Sequence, residues 1–451
     1  MSATAAPATR YVSLLGLGFG DCGKGLYTDH LCGELRAHTV VRFNGGAQAG
    51  HNVVLADGRH HTFSQFGAGS FHADVATVLA SPVVVHPTAL RVEEAALRRA
   101  GVGDAFARLR IDARCRVTTP YHQAAGRLRE WARGAARHGS CGVGVGETVR
   151  QALAAPEAAL RYGDLPHPAR ALDKLQALRA ALQREFADFS PPHAEAAQEL
   201  ALLGDDALAR RWLDAAAPCV RLAPPASADA IGARLAQPGT VLFEGAQGVL
   251  LDEWRGFHPH TTWSTISTAA VEAVLHDAGI GTPAVRHLGV LRSYLTRHGP
   301  GPLPTHDRAL DARLAEPHNA DDGWQGAFRR GHPDAVLLRH ALAAAGRLDG
   351  LVASHLDAFE RTRLRWCGGY RGADGARIEA LPLASAPDLD HQQALTRLLH
   401  AAEPRYEAEA IATPAAWIER IEAASGLPVR YGAFGPTREA VRSLHAFAQN
   451  P

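Results

Sequence analysis

The sequence predicts an α/β fold built on a mostly parallel central sheet with helical insertions. Two observations carry this. Short apolar runs alternate with helical stretches, and each run enters a loop rich in glycine or polar residues; in an open α/β sheet, ligands collect at such carboxyl ends of strands. Tyr11 to Gly16 is the first run, ending in a glycine-rich turn, and Tyr27 to Leu35 continues as a helix. Thr39 to Phe43 is the second and enters Asn44-Gly45-Gly46. Thr77 to Val85, interrupted by Pro82, precedes the helical Glu93 to Arg99. Further strand signals stand at Thr240 to Phe243, Val285 to Leu291 and Leu348 to Ala353. From about residue 120 to 235 the text turns to Ala, Leu, Arg and Glu with helical periodicity, broken by Gly139 to Gly146 and by Pro191-Pro192. We read this as a mostly helical insertion within one α/β domain spanning 1–451.

Composition narrows the function classes. Hydrophobic residues make up 46% and charged residues 21% of 451, and 47 basic against 46 acidic residues leave a formal charge of +1. A disordered chain is therefore not expected, nor is a nucleic-acid partner, which requires a concentrated basic surface. The N-terminus has no basic-then-apolar leader, and no run approaches the roughly 18 apolar residues of a membrane span. A cytoplasmic protein is expected, with no membrane association. The 6 cysteines are dispersed without a C-x-x-C pair, so they read as reduced and mostly buried. Among the 24 histidines there is no His-Glu-x-x-His, and a histidine metal centre is not expected.

Gly18-Phe19-Gly20-Asp21-Cys22-Gly23-Lys24 fits G-x-x-x-x-G-K, after the first strand and before a helix. Glycines let backbone N–H groups close on phosphate oxygens, the helix N-terminus adds a favourable dipole, and the Lys ammonium neutralises phosphoryl charge. Gly25 stands where a Ser or Thr normally ligates magnesium, whereas Asp21 inside the loop offers a carboxylate as metal ligand or base. The plain alternative is a glycine-rich turn with a surface lysine. A second cluster, Val41 to Asn52, sets amides and His51 at the end of a strand. An imidazole there suits a general acid, although a lone histidine is more often a structural hydrogen-bonder. In the third cluster, Val241 to Gly248, Gln247 offers the donor and acceptor needed to read a lactam edge, or else caps its loop.

Together these clusters resemble the adenylosuccinate synthetase family, and the resemblance continues through Gly301-Pro302-Leu303-Pro304-Thr305, Phe328 to Gly331, Asp334 to Arg339, Leu348 to Asp357 and Gly435-Pro436-Thr437-Arg438. It implies a GTP- and Mg2+-dependent ligase that phosphorylates the 6-oxygen of IMP and displaces that phosphate with the amino group of aspartate, working as a homodimer. Asp21 then matches the general base and a magnesium ligand, Gly50 a second ligand through its carbonyl, and His51 the acid assisting phosphoryl transfer. Gly20, Gly23, Lys24 and Gly25 match the phosphate loop, His355 and Asp357 the guanine-reading segment, and Gly435 and Pro436 the nucleotide-side loop near the C-terminus. Gln247 matches the amide at the purine's reacting edge. Gln48, Ser140, Cys141, Ser267, Thr305, Arg329 and Arg330 match acceptor and amino-donor contacts.

Several of these positions depart from the family pattern. Gln48 replaces an Asn, Gly139 to Glu147 replaces G-T-T-G-R-G-I-G-P, and Thr262 to Thr268 differs from S-S-N-T-T, leaving Arg150 as a stand-in for the lost arginine. Trp324 to Arg330 loses one arginine of the amino-donor loop. The departures gather on the acceptor side while Asp21, His51 and Gln247 persist, so retained oxygen activation with a changed acceptor is expected: a specialised paralogue acting on a modified nucleoside, nucleotide or other carbonyl compound. A GTP-binding protein without ligase activity is the rival of another class.

Overall fold

The computed structural model describes residues 9–316, 319 and 324–445. Ten strands form one sheet. In chain order they are β1 (Thr9–Gly16), β2 (Ala37–Arg42), β3 (Ala76–Leu79), β4 (Leu109–Asp112), β5 (Pro225–Ala226), β6 (Gly239–Glu244), β7 (Val285–Arg292), β8 (Gly350–Ser354), β9 (Val429–Ala433) and β10 (Val441–Ser443). Their spatial order is β10-β9-β8-β7-β1-β6-β2-β3-β4-β5. All neighbours pair parallel except β9 with β10, which are antiparallel. The mostly parallel sheet expected from the strand signals is thus present. Each signal maps onto a strand within a few residues, except that the third run splits at Pro82 into β3 and the two-residue strand Val84–Val85.

Both faces are covered, which is why the central strands read as near-continuous apolar runs rather than alternating ones. Along β1, Tyr11 and Leu15 enter one core with Val41, Phe243 and Leu351, while Val12 and Leu14 enter another with Val40, Leu242 and Val352. The second core is closed by Leu26, Tyr27 and Leu31 of α1 (Lys24–Glu34). Each such Leu or Val contributes about 1.5–3 kcal/mol on burial. Residues 120–235 are largely helical, with helices at Pro120–Arg133, Val145–Ala154, Pro168–Glu185, Ala194–Gly204, Leu208–Leu222 and Ala228–Leu235. Helices of this stretch pack Leu128, Leu175, Leu182 and Trp212 together with Leu79 and Ile111 of β3 and β4. The antiparallel pairing of Leu364–Arg371 with Glu403–Ile411 was not expected from the sequence.

With β1 flanked by β6 and β7, and β2 beyond β6, the loops after these strands share the sheet's carboxyl edge. That edge places Asp21, Asn44, Gln247 and His298 side by side although they lie far apart in sequence.

Candidate functional site

The loop after β1 turns sharply into α1. Gly23 is the N-cap with φ 91°, and a Cβ there would meet the Ser354 Cβ at 2.8 Å, so only glycine fits. Lys24 is 3% exposed, and its Nζ donates to the Gln247 carbonyl over 2.6 Å. The phosphate-loop lysine thereby ties the first cluster to the third. Gly20 and Asp21 are half-buried, and Gly25 packs beneath His51 and Asn52.

His51 opens the short strand His51–Val54, and its Nδ1 lies 2.5 Å from Glu244 Oε1 at the end of β6. The second Glu244 oxygen accepts the Ala68 N–H over 2.9 Å, and the carboxylate is 0% exposed. Burial pushes His51 down to about 4, outweighing the attraction of Glu244. Burial raises Glu244, but Arg42 and His51 prevail and hold it below the usual carboxylate range. The pair is a neutral imidazole donating Nδ1–H to a carboxylate, which leaves Nε2 for the cleft. Glu244 fixes tautomer and ring orientation. It lies within the third sequence cluster, yet sequence reasoning gave it no role.

Gln247 adopts φ 56°, and neither its Oε1 nor its Nε2 has a hydrogen-bond partner although both are buried. An amide left unsatisfied in a native interior calls for a ligand. Asn44 sets it in place by accepting from Ala246 N (2.8 Å) and donating to Ala246 O (3.3 Å). Gln48 Oε1 is likewise buried without a partner. Gly50, the other expected magnesium ligand, is exposed.

The residues expected on the nucleotide side follow β8 and β9. Asp357 lies in the 3-10 turn Leu356–Glu360 after β8, its Oδ2 accepting from Arg361 over 3.1 Å. Gly435 and the exposed Pro436 follow β9. His355, expected beside Asp357, has its Nδ1 2.8 Å from Ser354 Oγ, and its ring meets Tyr294 edge-on at 6.0 Å. Burial, reinforced by Arg292 and Arg361, holds it well below the usual histidine range.

The acceptor and donor residues divide. Ser140 is exposed and Cys141 half-buried in the loop before the helix Val145–Ala154, which Glu130 shapes by accepting from Gly139 N over 3.0 Å. Ser267 is the N-cap of Thr268–Asp277 and its loop reaches the second cluster, where Ser264 Oγ accepts from Gly45 N over 3.1 Å. Three expectations need correction. Thr305 is 0% exposed and donates its hydroxyl to His332 O over 2.9 Å, so it serves the fold. Arg330 is 5% exposed and donates to Phe328 O over 2.7 Å, leaving Arg329 as the half-buried arginine of the donor loop. Arg150 is no free phosphate-binding cation, because it pairs with Glu147 (2.9 Å) and Glu185 (3.4 Å). Arg329 itself donates to the carbonyls of Gly299 and Gly301, both 2.5 Å away.

A sequence model of the adenylosuccinate synthetase family matches residues 13–442. The chain belongs to that family. Among its relatives, the adenylosuccinate synthetase of Neisseria meningitidis serogroup A is 31% identical over 96% of this chain and 98% of its own length. That of Azotobacter vinelandii is 33% identical over 97% and 99%. The fully ligated adenylosuccinate synthetase of Plasmodium falciparum shares the fold, with TM-score 0.76 and 21% identity over 97% of this chain and 100% of that one. The cyanophage S-2L succinoaminodeoxyadenylate synthetase, bound to dGMP and dATP as an energy donor, superposes with TM-score 0.59 and 18% identity over 97% and 96%. As an adenylosuccinate synthetase family member the chain is a C–N ligase, and the family uses GTP and Mg2+. The donor set fits that ion: magnesium is commonly held by one or two carboxylates together with substrate phosphates, and Asp21 supplies one carboxylate at the mouth of the phosphate loop. Among the described residues no cluster of three His, Cys, Asp or Glu suits a protein-only metal site, and no helix is long and apolar enough to cross a membrane.

Proposed function

We propose that the chain is a GTP-dependent ligase that activates the lactam oxygen of IMP, or of an IMP-like acceptor, by phosphorylation and replaces it with the amino group of aspartate. The observation that carries this reading is Gln247, a buried amide with both polar atoms unpartnered and its own carbonyl held by the phosphate-loop lysine. Such an amide matches the donor and acceptor of a lactam edge and sets that edge beside the phosphate loop.

Asp21 takes the lactam N–H proton, and the exocyclic lactam oxygen becomes nucleophilic. That oxygen forms a bond to the γ-phosphorus as the bond to the GDP oxygen breaks. Lys24 and the α1 N-terminus stabilise the transferred charge. An anionic phosphoryl group beside His51 Nε2 offsets the burial that keeps the ring neutral, so the ring, already anchored on Glu244, can donate there. Magnesium bound by Asp21 and the Gly50 carbonyl would supply charge neutralisation across the phosphates. The aspartate amine then bonds the ring carbon, the C–O bond breaks, and phosphate departs with the oxygen and takes up the proton the amine gives up. Arg329 is the candidate for a donor carboxylate once it exchanges its two carbonyl partners. Asp357 reads guanine with Gly435 and Pro436 beside it. Family analogy supports a cytoplasmic homodimer, which light scattering checks.

A second reading concerns the acceptor. The loop Gly139 to Gly146 carries no cationic side chain, and Arg150 is held in ion pairs. This favours an acceptor whose recognition leans less on a 5′-phosphate than that of IMP. Both readings are tested by offering IMP, dGMP and their nucleosides with GTP, magnesium and aspartate, and following GDP and adduct by mass. Efficient adenylosuccinate formation with IMP preferred to every alternative supports the ordinary synthetase; a preferred nucleoside supports the specialised one. GTP turnover without any adduct would sink both.

A further inference from the structure

Asp21 is gripped from two sides, and the two grips lead back to Glu316 and Asn319. Its backbone is left-handed, with φ 45°, a conformation uncommon for residues with a side chain and one that Asp tolerates better than most. The carbonyl of Asp21 accepts from Arg292 Nη1 over 3.0 Å at the end of β7. Arg292 is 8% exposed, stacks over the Tyr294 ring at 4.3 Å, and points its Nη2 at both Glu316 and the Tyr294 hydroxyl. That hydroxyl in turn donates to Glu316 Oε1 over 2.8 Å. A buried guanidinium is fixed in orientation by the carboxylate it pairs with, here Glu316.

At the other end of the residue, Asp21 Oδ2 lies 3.8 Å from His298 Nε2, and the same Nε2 lies 3.3 Å from Asn319 Oδ1. Asn319 N donates to Glu316 O over 3.3 Å, which ties the two residues to each other.

We propose that Glu316 is a positioning residue for the reaction: acting through Arg292, it fixes the backbone of Asp21, while Asn319, bonded to Glu316, braces His298 against the Asp21 carboxylate. The inference rests on the reading of Asp21 as the base. A disturbance of Glu316 is therefore felt in the chemical step before it is felt in binding. Loss of the Glu316 charge leaves Arg292 buried without its counter-ion, so the guanidinium turns away and the Asp21 carbonyl is released.

The test compares Glu316→Gln, Asp21→Asn and the double variant in the full chain with GTP, aspartate and IMP, or dGMP where the wild type turns that over faster. Glu316→Gln is expected to lower kcat by about ten- to a hundred-fold, the scale of a misplaced catalytic group, with the KM values for GTP and acceptor moving less than about three-fold. In the Asp21→Asn background the same substitution should cost no further activity, because a residue acting through Asp21 has nothing left to position. A wild-type kcat for Glu316→Gln, or losses that multiply in the double variant, would overturn the positioning role while leaving the base assignment standing. An active Asp21→Asn enzyme would instead overturn the base assignment. Should Glu316→Gln fail to fold, Tyr294→Phe, which removes only the hydroxyl bonded to Glu316, is read by the same kcat and double-variant criteria.

Discussion

His51 Nδ1 and Glu244 Oε1 lie 2.5 Å apart in the interior, an imidazole oriented by a carboxylate it reaches only because β6 ends beside the loop after β2. Glu244→Gln keeps the volume but puts an amide where the anion stood, so the ring loses its fixed tautomer and the charge that supports a protonated ring. Turnover should fall by about two to three orders of magnitude, with the KM for GTP little changed. Steady-state GDP release checks this, and an unimpaired kcat would remove His51 from the chemistry.

Lys24 has two jobs by geometry, since the ammonium that faces the phosphate loop also holds the Gln247 carbonyl at 2.6 Å. Lys24→Met should therefore raise the KM for the acceptor as well as for GTP, each by about ten-fold or more, the scale of a lost charge-assisted hydrogen bond. A rise confined to GTP would show that Gln247 is positioned without it.

Asp357 can accept from guanine N1–H and the 2-amino group, while adenine presents a lone pair at N1. Asp357→Asn should lower the preference for GTP over ATP by about ten- to a hundred-fold, measured as the ratio of kcat/KM values. An unchanged ratio would place base reading elsewhere.

His122 predicts an acid limb in stability. Its imidazole is 1% exposed, bonded to Gln151 at 2.9 Å, and burial pushes it down to about 4. Below about pH 6.5 the unfolded chain takes up a proton that the folded one refuses until about pH 4, so stability falls across that window by about 1.4 kcal/mol per pH unit for this group. His122→Gln keeps the capping box with Thr119 and does not titrate, so denaturant melts between pH 7 and 4 should show a shallower loss. Parallel profiles would contradict the assignment.

The strands that build the site were legible because they are buried on both faces and read as apolar runs ending in glycine-rich loops. Asp21, His51 and Gln247 followed from those loops and from the family pattern. What escaped were relations set by strand order and packing. Glu244 meets His51 only through the adjacency of β6 and β2, and Arg292 meets Asp21 only because β7 lies beside β1. Glu403–Ile411, with Glu403, Arg405, Glu407 and Glu409 facing out along an edge strand, lacks an apolar run altogether. Thr305 and Arg330 sit in family-like motifs, yet neighbouring carbonyls claim their donors, which no reading of residue types along the chain reveals.

The central claim is that the acceptor's own oxygen leaves as phosphate. IMP carrying oxygen-18 at the 6-position, incubated with GTP, magnesium and aspartate, tests it directly through the mass of the inorganic phosphate released. The account predicts that each phosphate formed with an adduct carries the label. Adduct accompanied by unlabelled phosphate would mean that GTP is hydrolysed apart from the acceptor, and would contradict it.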